Sequence, residues 1–150
     1  MDRVTDRASH SAAVALASEL RGFAGKLKRR LREQADVGDL THSQTSVLLR
    51  IESEGAATTS ALARAEGMKP QSMGAVIAAL EAAGFVAGEP DPADKRQTLL
   101  SLTEECRRWI AEGRAVRQDW LSRVVEAKLS PQEQEQISAV MPLLHRIVTD

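Results

Sequence analysis

The stretch that decides the fold is Lys69-Pro70-Gln71-Ser72-Met73-Gly74-Ala75-Val76-Ile77-Ala78-Ala79-Leu80-Glu81-Ala82-Ala83-Gly84. Its larger apolar residues recur at helical spacing and form one stripe, which consists of Met73, Val76, Ile77 and Leu80. Pro70 suits the first helical position, where a missing N–H costs nothing, and Gly84 suits the left-handed position that ends a helix. The stretch therefore predicts one helix of about four turns.

The outer side of this helix begins with small or uncharged polar residues, which are Gln71, Ser72, Gly74 and Ala75. A surface helix normally exposes charged side chains to solvent. Small side chains instead let another molecule come close to the helix backbone. We interpret this edge as a surface that enters a DNA groove.

Length and composition limit the possible classes of protein. Hydrophobic residues make up 43% of the 150-residue chain and charged residues 27%, which excludes a mainly disordered protein. The length supports one domain, and we treat residues 1–150 as a single domain. The formal net charge is -1, so any binding of nucleic acid must depend on a local arrangement of charges.

The residue inventory disfavours several kinds of function. The single cysteine, Cys106, excludes an intrachain disulfide and a cysteine-cluster metal site. The histidines are scattered and no glycine-rich phosphate loop is present, so we predict neither an enzyme nor a bound cofactor. The first residues lack the apolar core of a signal peptide, and no apolar run approaches the roughly 20 residues of a membrane span. We expect a cytoplasmic protein without a membrane partner.

Three compact helices with very short connections are predicted between residues 41 and 84. Thr41 and Gln44 form a capping box at the start of the first helix, and the second helix starts near Thr59. The predicted glycine stops are Gly55, Gly67 and Gly84. The predicted buried residues of the first two helices are Val47, Leu48, Ile51, Leu62 and Ala63. The last two helices, joined by a turn that contains glycine, have the order of a helix-turn-helix.

A hairpin is predicted to follow these helices. Residues 85–89 and 97–102 have strand character. The segment between them, residues 90–96, is polar and rich in turn formers, so it predicts a long hairpin tip. Three helices followed by a two-stranded hairpin have the order of a winged helix-turn-helix, here over residues 40–103.

Long amphipathic helices are predicted on both sides of this region. Residues 10–35 form one helix, and residues 104–149 contain two, which start after the capping residues Thr103 and Ser130. The apolar stripe of the first helix is Leu16, Leu20, Phe23, Leu27 and Leu31. Such a narrow stripe on a long helix usually needs a partner helix. The basic run at residues 26–32 fits a solvated helix face and a phosphate-contacting patch equally well.

Four segments, in this order and spacing, resemble the MarR family of transcriptional regulators. They are Lys69-Pro70-Gln71-Ser72-Met73, Leu80-Glu81-Ala82-Ala83-Gly84-Phe85-Val86, Asp91-Pro92-Ala93-Asp94-Lys95-Arg96 and Leu100-Ser101-Leu102-Thr103. The resemblance runs from about residue 10 to the C-terminus. It implies a mainly α fold with a small β-hairpin, in which dimerisation helices at 10–35 and 104–149 flank the winged helix-turn-helix.

The resemblance also implies a function, that of a sequence-specific DNA-binding transcriptional regulator. The helix from Pro70 would enter the major groove of double-stranded DNA and the hairpin tip the minor groove. A two-fold homodimer would then bind a pseudo-palindromic operator with half-sites about 10 base pairs apart.

The family resemblance further implies a small-molecule effector, often an aromatic or phenolic acid, bound between the dimerisation helices and the winged helix-turn-helix. The expected protein is therefore a ligand-responsive repressor. Phe23, Trp109 and Trp120 are candidate walls of the effector site, although each also fits a core stripe.

Side-chain chemistry suggests roles on the predicted major-groove surface. Gln71 can pair bidentately with adenine, and Ser72 can serve a base edge or a phosphate. Gly74 and Ala75 would allow close approach and an apolar contact with a thymine methyl group. Met73 is predicted to point inward, so it is assigned to the core.

The remaining predicted DNA contacts are basic residues and their neighbours. Arg96 is expected in the minor groove, where the negative potential of DNA is strongest when the groove is narrow. Asp94 could hold the guanidinium of Arg96 through a bidentate pair. Lys95 and Lys69 are expected to contact phosphates, and Pro70 belongs to the same surface. The alternative for each basic residue is an ordinary solvated charge.

One feature departs from the family pattern and supports an alternative from another class. Family members often carry basic residues just before the wing proline, where this chain has Gly88 and Glu89. The segment 58–102 contains four cations and five anions, so its non-specific attraction to DNA should be modest. The alternative is a winged-helix module retained for protein association, without an operator.

A redox-responsive regulator that uses Cys106 is a second alternative. A thiol near a helix N-terminus has a lowered pKa, but Cys106 falls on the apolar stripe beside Glu104 and Glu105, which oppose a thiolate. Peroxide-sensing members of the family carry their reactive cysteine near the N-terminus, where this chain has none. We therefore favour a buried structural thiol.

Overall fold

The computed structural model describes residues 2–35 and 38–149. Within these residues the chain forms six helices and three strands. Their bounds are α1 Asp2–Gln34, α2 His42–Glu54, β1 Ala57–Thr58, α3 Thr59–Ala65, α4 Pro70–Ala82, β2 Val86–Pro90, β3 Thr98–Leu102, α5 Glu104–Lys128 and α6 Pro131–Val148. This mainly helical architecture with a small antiparallel sheet confirms the predicted fold class.

The chain divides into two compact units. The winged-helix unit is Val37–Arg114, and the helical unit is Met1–Asp36 together with Ala115–Asp150. The boundary between the units falls within α5. The predicted winged helix-turn-helix segment, residues 40–103, lies in the winged-helix unit.

The core of the winged-helix unit combines residues from its helices and its sheet. The buried residues are Val47, Leu48, Ile51, Leu62, Ala63, Met73, Ile77, Leu80, Val86, Leu100, Leu102, Cys106 and Ile110. All the residues predicted to be buried on the first two helices are therefore confirmed. On α4, Val76 is only partly buried but packs against this core. Burial of one face of each helix fixes which face remains available to a partner.

The sheet has the strand order β1-β3-β2 with antiparallel pairing. The hairpin of β2 and β3 confirms the predicted wing, and Val86 lies opposite Leu102 in its register. Strand β1 was not predicted from the sequence. Its two residues, Ala57 and Thr58, pair with Leu100 and Leu99 of β3. Two residues are too few to show the alternation that identifies a strand.

Local signals place the ends of α2, α4 and α6 named below where the sequence predicts them. The Thr41 hydroxyl accepts a hydrogen bond from the N–H of Gln44 at 3.2 Å, and the Gln44 side chain accepts one from the Thr41 N–H at 2.8 Å. Ser130 and Glu133 form the same capping box at the start of α6. Gly84 has a φ of 76°, a left-handed conformation that favours glycine. The ends at Thr41 and Gly84 help to fix the short connections of the winged-helix unit, and the end at Ser130 belongs to the helical unit.

The helical unit leaves much of its apolar surface exposed. Its exposed large hydrophobic residues are Val14, Leu16, Phe23, Val116, Ile137, Val140, Met141, Leu143, Ile147 and Val148. Helix α6 has no buried residue, although its sequence is amphipathic. Among the described residues, no helix is both long enough and apolar enough to span a bilayer.

Helix α1 begins earlier than predicted. It starts at Asp2 rather than at residue 10, so the predicted start of this helix was wrong. Residues 2–21 contain neither glycine nor proline, and acidic residues near a helix N-terminus are favourable. Nothing in that segment therefore interrupts a helix.

Candidate nucleic-acid interface

Helix α4 presents its small-residue edge to solvent. Gln71, Ser72 and Ala75 are exposed, Gly74 is half-buried, and Met73 is fully buried, which confirms Met73 as a core residue. A Cβ atom added at Gly74 would meet no atom within 4 Å. Nothing inside the protein therefore requires glycine at this position. The space in front of α4 is open to a second molecule.

The N-terminus of α4 lacks the side-chain cap that the other helices of the winged-helix unit have. The hydroxyl groups of Thr41, Thr58 and Thr103 accept hydrogen bonds from the first turns of α2, α3 and α5. The corresponding residue of α4 is Lys69, which makes no side-chain capping bond. Pro70 occupies the first turn. The first-turn N–H groups of α4 thus lack a hydroxyl or carboxylate cap, and the neighbouring side chain is a cation.

The turn between α3 and α4 is short and internally bonded. Gly67 has a φ of 63°, and the N–H of Met68 donates to the carbonyl of Ala63 at 2.8 Å. Glu66, immediately before Gly67, is held by α2. Its carboxylate accepts one hydrogen bond from Ser46 Oγ at 2.8 Å and another from Arg50 Nε at 2.7 Å. We call Glu66, Ser46 and Arg50 the Glu66 anchor.

Ionisation of Glu66 follows from these contacts. The hydrogen bonds from Arg50 and then Ser46 hold the pKa of the Glu66 carboxyl below its ordinary value, against the opposing effect of burial. The Glu66 side chain is only 13% exposed. It is therefore a carboxylate at neutral pH whose charge is offset inside the protein.

The wing tip is closed by hydrogen bonds between its own residues. The N–H of Asp91 donates to the carbonyl of Gln97 at 2.9 Å, and the N–H of Gln97 donates to the carbonyl of Asp94 at 2.9 Å. The Asp91 side chain accepts a bond from the N–H of Ala93 at 2.9 Å. This geometry fixes the backbone on both sides of Arg96.

Arg96 and Asp94 form the bidentate pair that the sequence suggested. Arg96 Nε lies 3.0 Å from Asp94 Oδ1, and an Arg96 terminal nitrogen lies 3.1 Å from Oδ2. The side-chain and backbone hydrogen bonds from Arg96 lower the pKa of Asp94, so the pair is ionised. Arg96 is nevertheless 90% exposed. The pair therefore restricts the orientation of a guanidinium that remains accessible, and Lys95 beside it is also exposed.

Gly88 has a packing reason to be small. It lies opposite Leu100 in the hairpin, and a Cβ atom at this position would come within 2.5 Å of Thr98 Cγ2. A long basic side chain at Gly88 would force Thr98 to move. Packing within the hairpin is therefore one physical reason why this position, which departs from the basic residues that family members often carry before the wing proline, holds glycine.

Ion pairing reduces the excess of anions over cations in the segment 58–102. Of the five anions between residues 58 and 102, Glu66 is paired with Arg50, which lies outside that segment, so its charge is offset without using one of the four cations. Asp94 is paired with Arg96 inside the segment, and that pair leaves the balance unchanged. Lys69 and Lys95 are exposed. The charge that faces solvent is thus less unfavourable to DNA than the residue count suggests.

Cys106 is fully buried in the core of the winged-helix unit. Burial raises the pKa of its thiol above the ordinary value. The Thr103 hydroxyl accepts a hydrogen bond from the backbone N–H of Cys106 at 3.1 Å, so the backbone at this position serves as part of a helix cap. These observations favour the structural interpretation of the thiol over the redox alternative.

We expect the native Cys106 thiol to react with an aromatic disulfide reagent at least about tenfold more slowly at pH 8 than the same thiol in guanidinium chloride. The physical reason is that the reactive species is the thiolate, and burial disfavours it. Thiol release followed by absorbance provides the measurement. Equal rates in the folded and unfolded protein, or rapid oxidation of the native thiol by peroxide, would contradict the structural assignment.

The three candidate walls of an effector site have separate environments. The ring of Trp109 stacks on Phe85 with centroids 5.1 Å apart, and both residues pack against the core of the winged-helix unit. In the helical unit, the Arg30 guanidinium lies 5.6 Å from the ring centroid of Trp120, and Phe23 is exposed. Arg30 also forms an ion pair with Glu33 at 3.1 Å, so one cation of the basic run already has partners within the protein.

Comparison with known proteins gives one consistent family. Residues 40–98 match the sequence profile of the MarR family. An uncharacterized HTH-type transcriptional regulator of Mycobacterium bovis is 36% identical over 135 residues, which cover 90% of this chain and 94% of the relative.

Solved structures agree with this result. A protein from Pseudomonas aeruginosa PA01 described as a transcriptional regulator is 35% identical, has a TM-score of 0.81, and aligns over 93% of this chain and 97% of that chain. A mutant of MepR from S. aureus, solved bound to an oligodeoxyribonucleotide, aligns with a TM-score of 0.68 over 89% of this chain and 98% of its own. At 17% identity this second structure shows the likeness of the fold alone.

A helix-turn-helix with an exposed small-residue edge, followed by a wing with an ordered arginine, defines a DNA-binding winged-helix protein of the transcriptional-regulator class. The sequence and structural relatives then specify the group. The chain belongs to the MarR family of transcriptional regulators, which are not enzymes.

Proposed function

We propose that this regulator is a sequence-specific repressor that binds a pseudo-palindromic operator as a homodimer and is released by a small molecule. The observation that carries the proposal is the exposed edge of α4, where polar and small side chains stand over a buried apolar stripe. An edge without long charged side chains is unusual for a solvated helix. It suits a surface that approaches the floor of the major groove.

Base recognition in this proposal belongs to the first two turns of α4. Gln71 presents a donor and an acceptor on one amide and pairs bidentately with adenine. Ser72 bonds a base edge or a phosphate, and the methyl group of Ala75 contacts thymine across the gap left by Gly74. Lys69 and the N–H groups after Pro70 take a phosphate, because a helix N-terminus attracts anions.

The wing supplies the minor-groove contact. Arg96 enters the groove with its guanidinium restrained by Asp94, which reduces the side-chain entropy lost on binding. Two of its nitrogens bond Asp94, and the other terminal nitrogen remains available for DNA. Lys95 neutralises an adjacent phosphate.

The exposed apolar surface of the helical unit supports a homodimer. In this unit the exposed leucine, valine and isoleucine side chains lie on α1, on α6 and, for Val116 alone, on α5. A patch of this kind on a soluble protein marks an association surface. A second copy placed by a two-fold axis covers the same patch on both chains and spaces two α4 helices by about one turn of DNA.

The decisive experiment selects duplexes from a random library with the full-length protein. A pseudo-palindrome should emerge, with half-sites about 10 base pairs apart. Its affinity should exceed that of random duplex by at least about 10³-fold at physiological salt, and binding to random DNA should fall steeply between about 50 mM and about 200 mM salt. Sedimentation should give a mass of twice 16.3 kDa.

Other outcomes separate the proposal from its alternative. A dimer that enriches no sequence and loses all DNA binding as salt rises would favour the protein-association module. The specific support for that alternative is the excess of anions over cations in the segment 58–102. A monomer in solution would contradict the homodimer. Release from the selected operator is tested with a panel of aromatic and phenolic acids, where an unchanged affinity with every compound would leave a repressor without an effector of this class.

A further inference from the structure

We propose that Glu66 is a positioning residue for DNA recognition. Its carboxylate holds the turn of the helix-turn-helix on α2 through Ser46 and Arg50, and thereby sets where α4 begins without contacting DNA itself. This inference rests on the proposed operator-binding function and adds a determinant of specificity outside the DNA-contacting surface.

Glu66 lies close to the start of α4 in the chain. It follows the last residue of α3, and only Gly67, Met68 and Lys69 separate it from Pro70 at the start of α4. The backbone of this connection is fixed by the bond from Met68 N–H to the Ala63 carbonyl. Since so few residues intervene and their backbone is bonded, a displacement of Glu66 must be transmitted to the first turn of α4.

The carboxylate of Glu66 is firmly attached to α2. Ser46 and Arg50 lie on α2, 20 and 16 residues before Glu66, so the contacts are tertiary rather than local. Each carboxylate oxygen accepts one short bond, at 2.8 Å and 2.7 Å. The Glu66 side chain is 13% exposed and that of Arg50 is 30% exposed. Charge-assisted bonds shielded from water in this way are stronger and more directional than exposed ion pairs.

The fold does not depend on this carboxylate alone. Helices α3 and α4 bury Leu62, Met73, Ile77 and Leu80 in the shared core, and the turn keeps its own backbone bonds. Removal of the Glu66 carboxylate should therefore loosen the placement of α4 more than it destabilises the unit. Contacts to base edges require accurate placement, whereas phosphate attraction does not. The expected loss is one of specificity.

The test compares Glu66→Ala with Glu54→Ala. Glu54 is a matched control because it also pairs with Arg50, at 2.7 Å, but is 61% exposed and lies at the end of α2 rather than at the turn. Both variants remove one carboxylate from the same network and change the net charge equally. Each full-length protein is titrated with the selected operator and with a random duplex, and its unfolding midpoint is measured.

We expect Glu66→Ala to lower the ratio of operator affinity to random affinity by at least about fivefold. Its affinity for random DNA should stay equal or rise, because an anion has been removed. Glu66→Gln, whose amide oxygen can still accept a bond, should recover part of the ratio. Glu54→Ala should keep the ratio of the unmodified protein.

Several results would overturn the proposal. A ratio reduced by less than fivefold in Glu66→Ala, or the same reduction in Glu54→Ala, removes the positioning role. Equal weakening on both duplexes indicates a purely structural role. If Glu66→Ala does not fold, Ser46→Ala deletes a single bond of the anchor, and an unchanged ratio in that variant counts against the proposal. An unmodified protein that shows no operator preference instead contradicts the proposed function, and is recognised before any variant is compared.

Discussion

Arg96→Glu is expected to weaken operator binding by roughly 30- to 100-fold, or about 2–3 kcal/mol. The substitution removes a restrained guanidinium from the tip of the wing and places a second carboxylate beside Asp94. Both effects weaken binding, because the minor groove has a negative potential. A gel-shift or fluorescence titration with the selected operator measures the loss. The slope of affinity against salt should also decrease, since one fewer counterion is released.

The matched control for this prediction is Arg123→Glu. Arg123 is also an exposed arginine paired with an aspartate, Asp119, at 3.0 Å, but it lies in the helical unit. Arg123→Glu changes the net charge by the same amount as Arg96→Glu. It should alter operator affinity by less than about twofold, because Arg123 lies outside the surface proposed to contact DNA. Reversal of the exposed Glu19 should likewise have little effect. Losses as large as that of Arg96→Glu in either control would contradict the assignment of the wing to the minor groove.

The parts of the fold that could be predicted from the sequence are those whose cause is local. The capping box of Thr41 and Gln44 and the left-handed Gly84 involve residues close together in the chain, so their signals are visible in a few letters. The pair between Asp94 and Arg96 is of the same kind, because two residues of sequence separation inside a closed tip leave few arrangements. Their expected contacts with DNA remain a proposal.

What the sequence did not reveal depends on contacts between distant segments. Strand β1 exists only because Ala57 and Thr58 meet β3, some forty residues later. The Glu66 anchor joins residues whose individual types are common on helix surfaces, so no spacing rule marks them. The close approach at Gly88, where a Cβ atom would lie 2.5 Å from Thr98 Cγ2, arises across the hairpin. The sequence presented that glycine only as a departure from a family pattern.

Leu48→Ala is expected to lower the free energy of unfolding by about 2–5 kcal/mol, because it removes buried methyl groups and leaves a cavity. Leu48 is 1% exposed within the core that α2 shares with α4. Leu49→Ala is the matched control, since it makes the same chemical change on the same helix at a residue that is 46% exposed. The helix propensities of the two changes cancel in the comparison, so the difference between them isolates burial.

Urea denaturation at one protein concentration measures both variants, because association of two chains would make the midpoint depend on concentration. Leu49→Ala should cost less than about 1 kcal/mol. If the two variants lose equal stability, the assignment of this face of α2 to the core is wrong. The placement of Ser46 and Arg50 beside the turn between α3 and α4 would then be wrong as well. If only Leu48→Ala is destabilised, the fraction that remains folded should still discriminate the operator from random duplex. The reason is that the edge of α4 proposed to contact DNA is exposed, whereas Met73 and Leu80 of the same helix lie in the core.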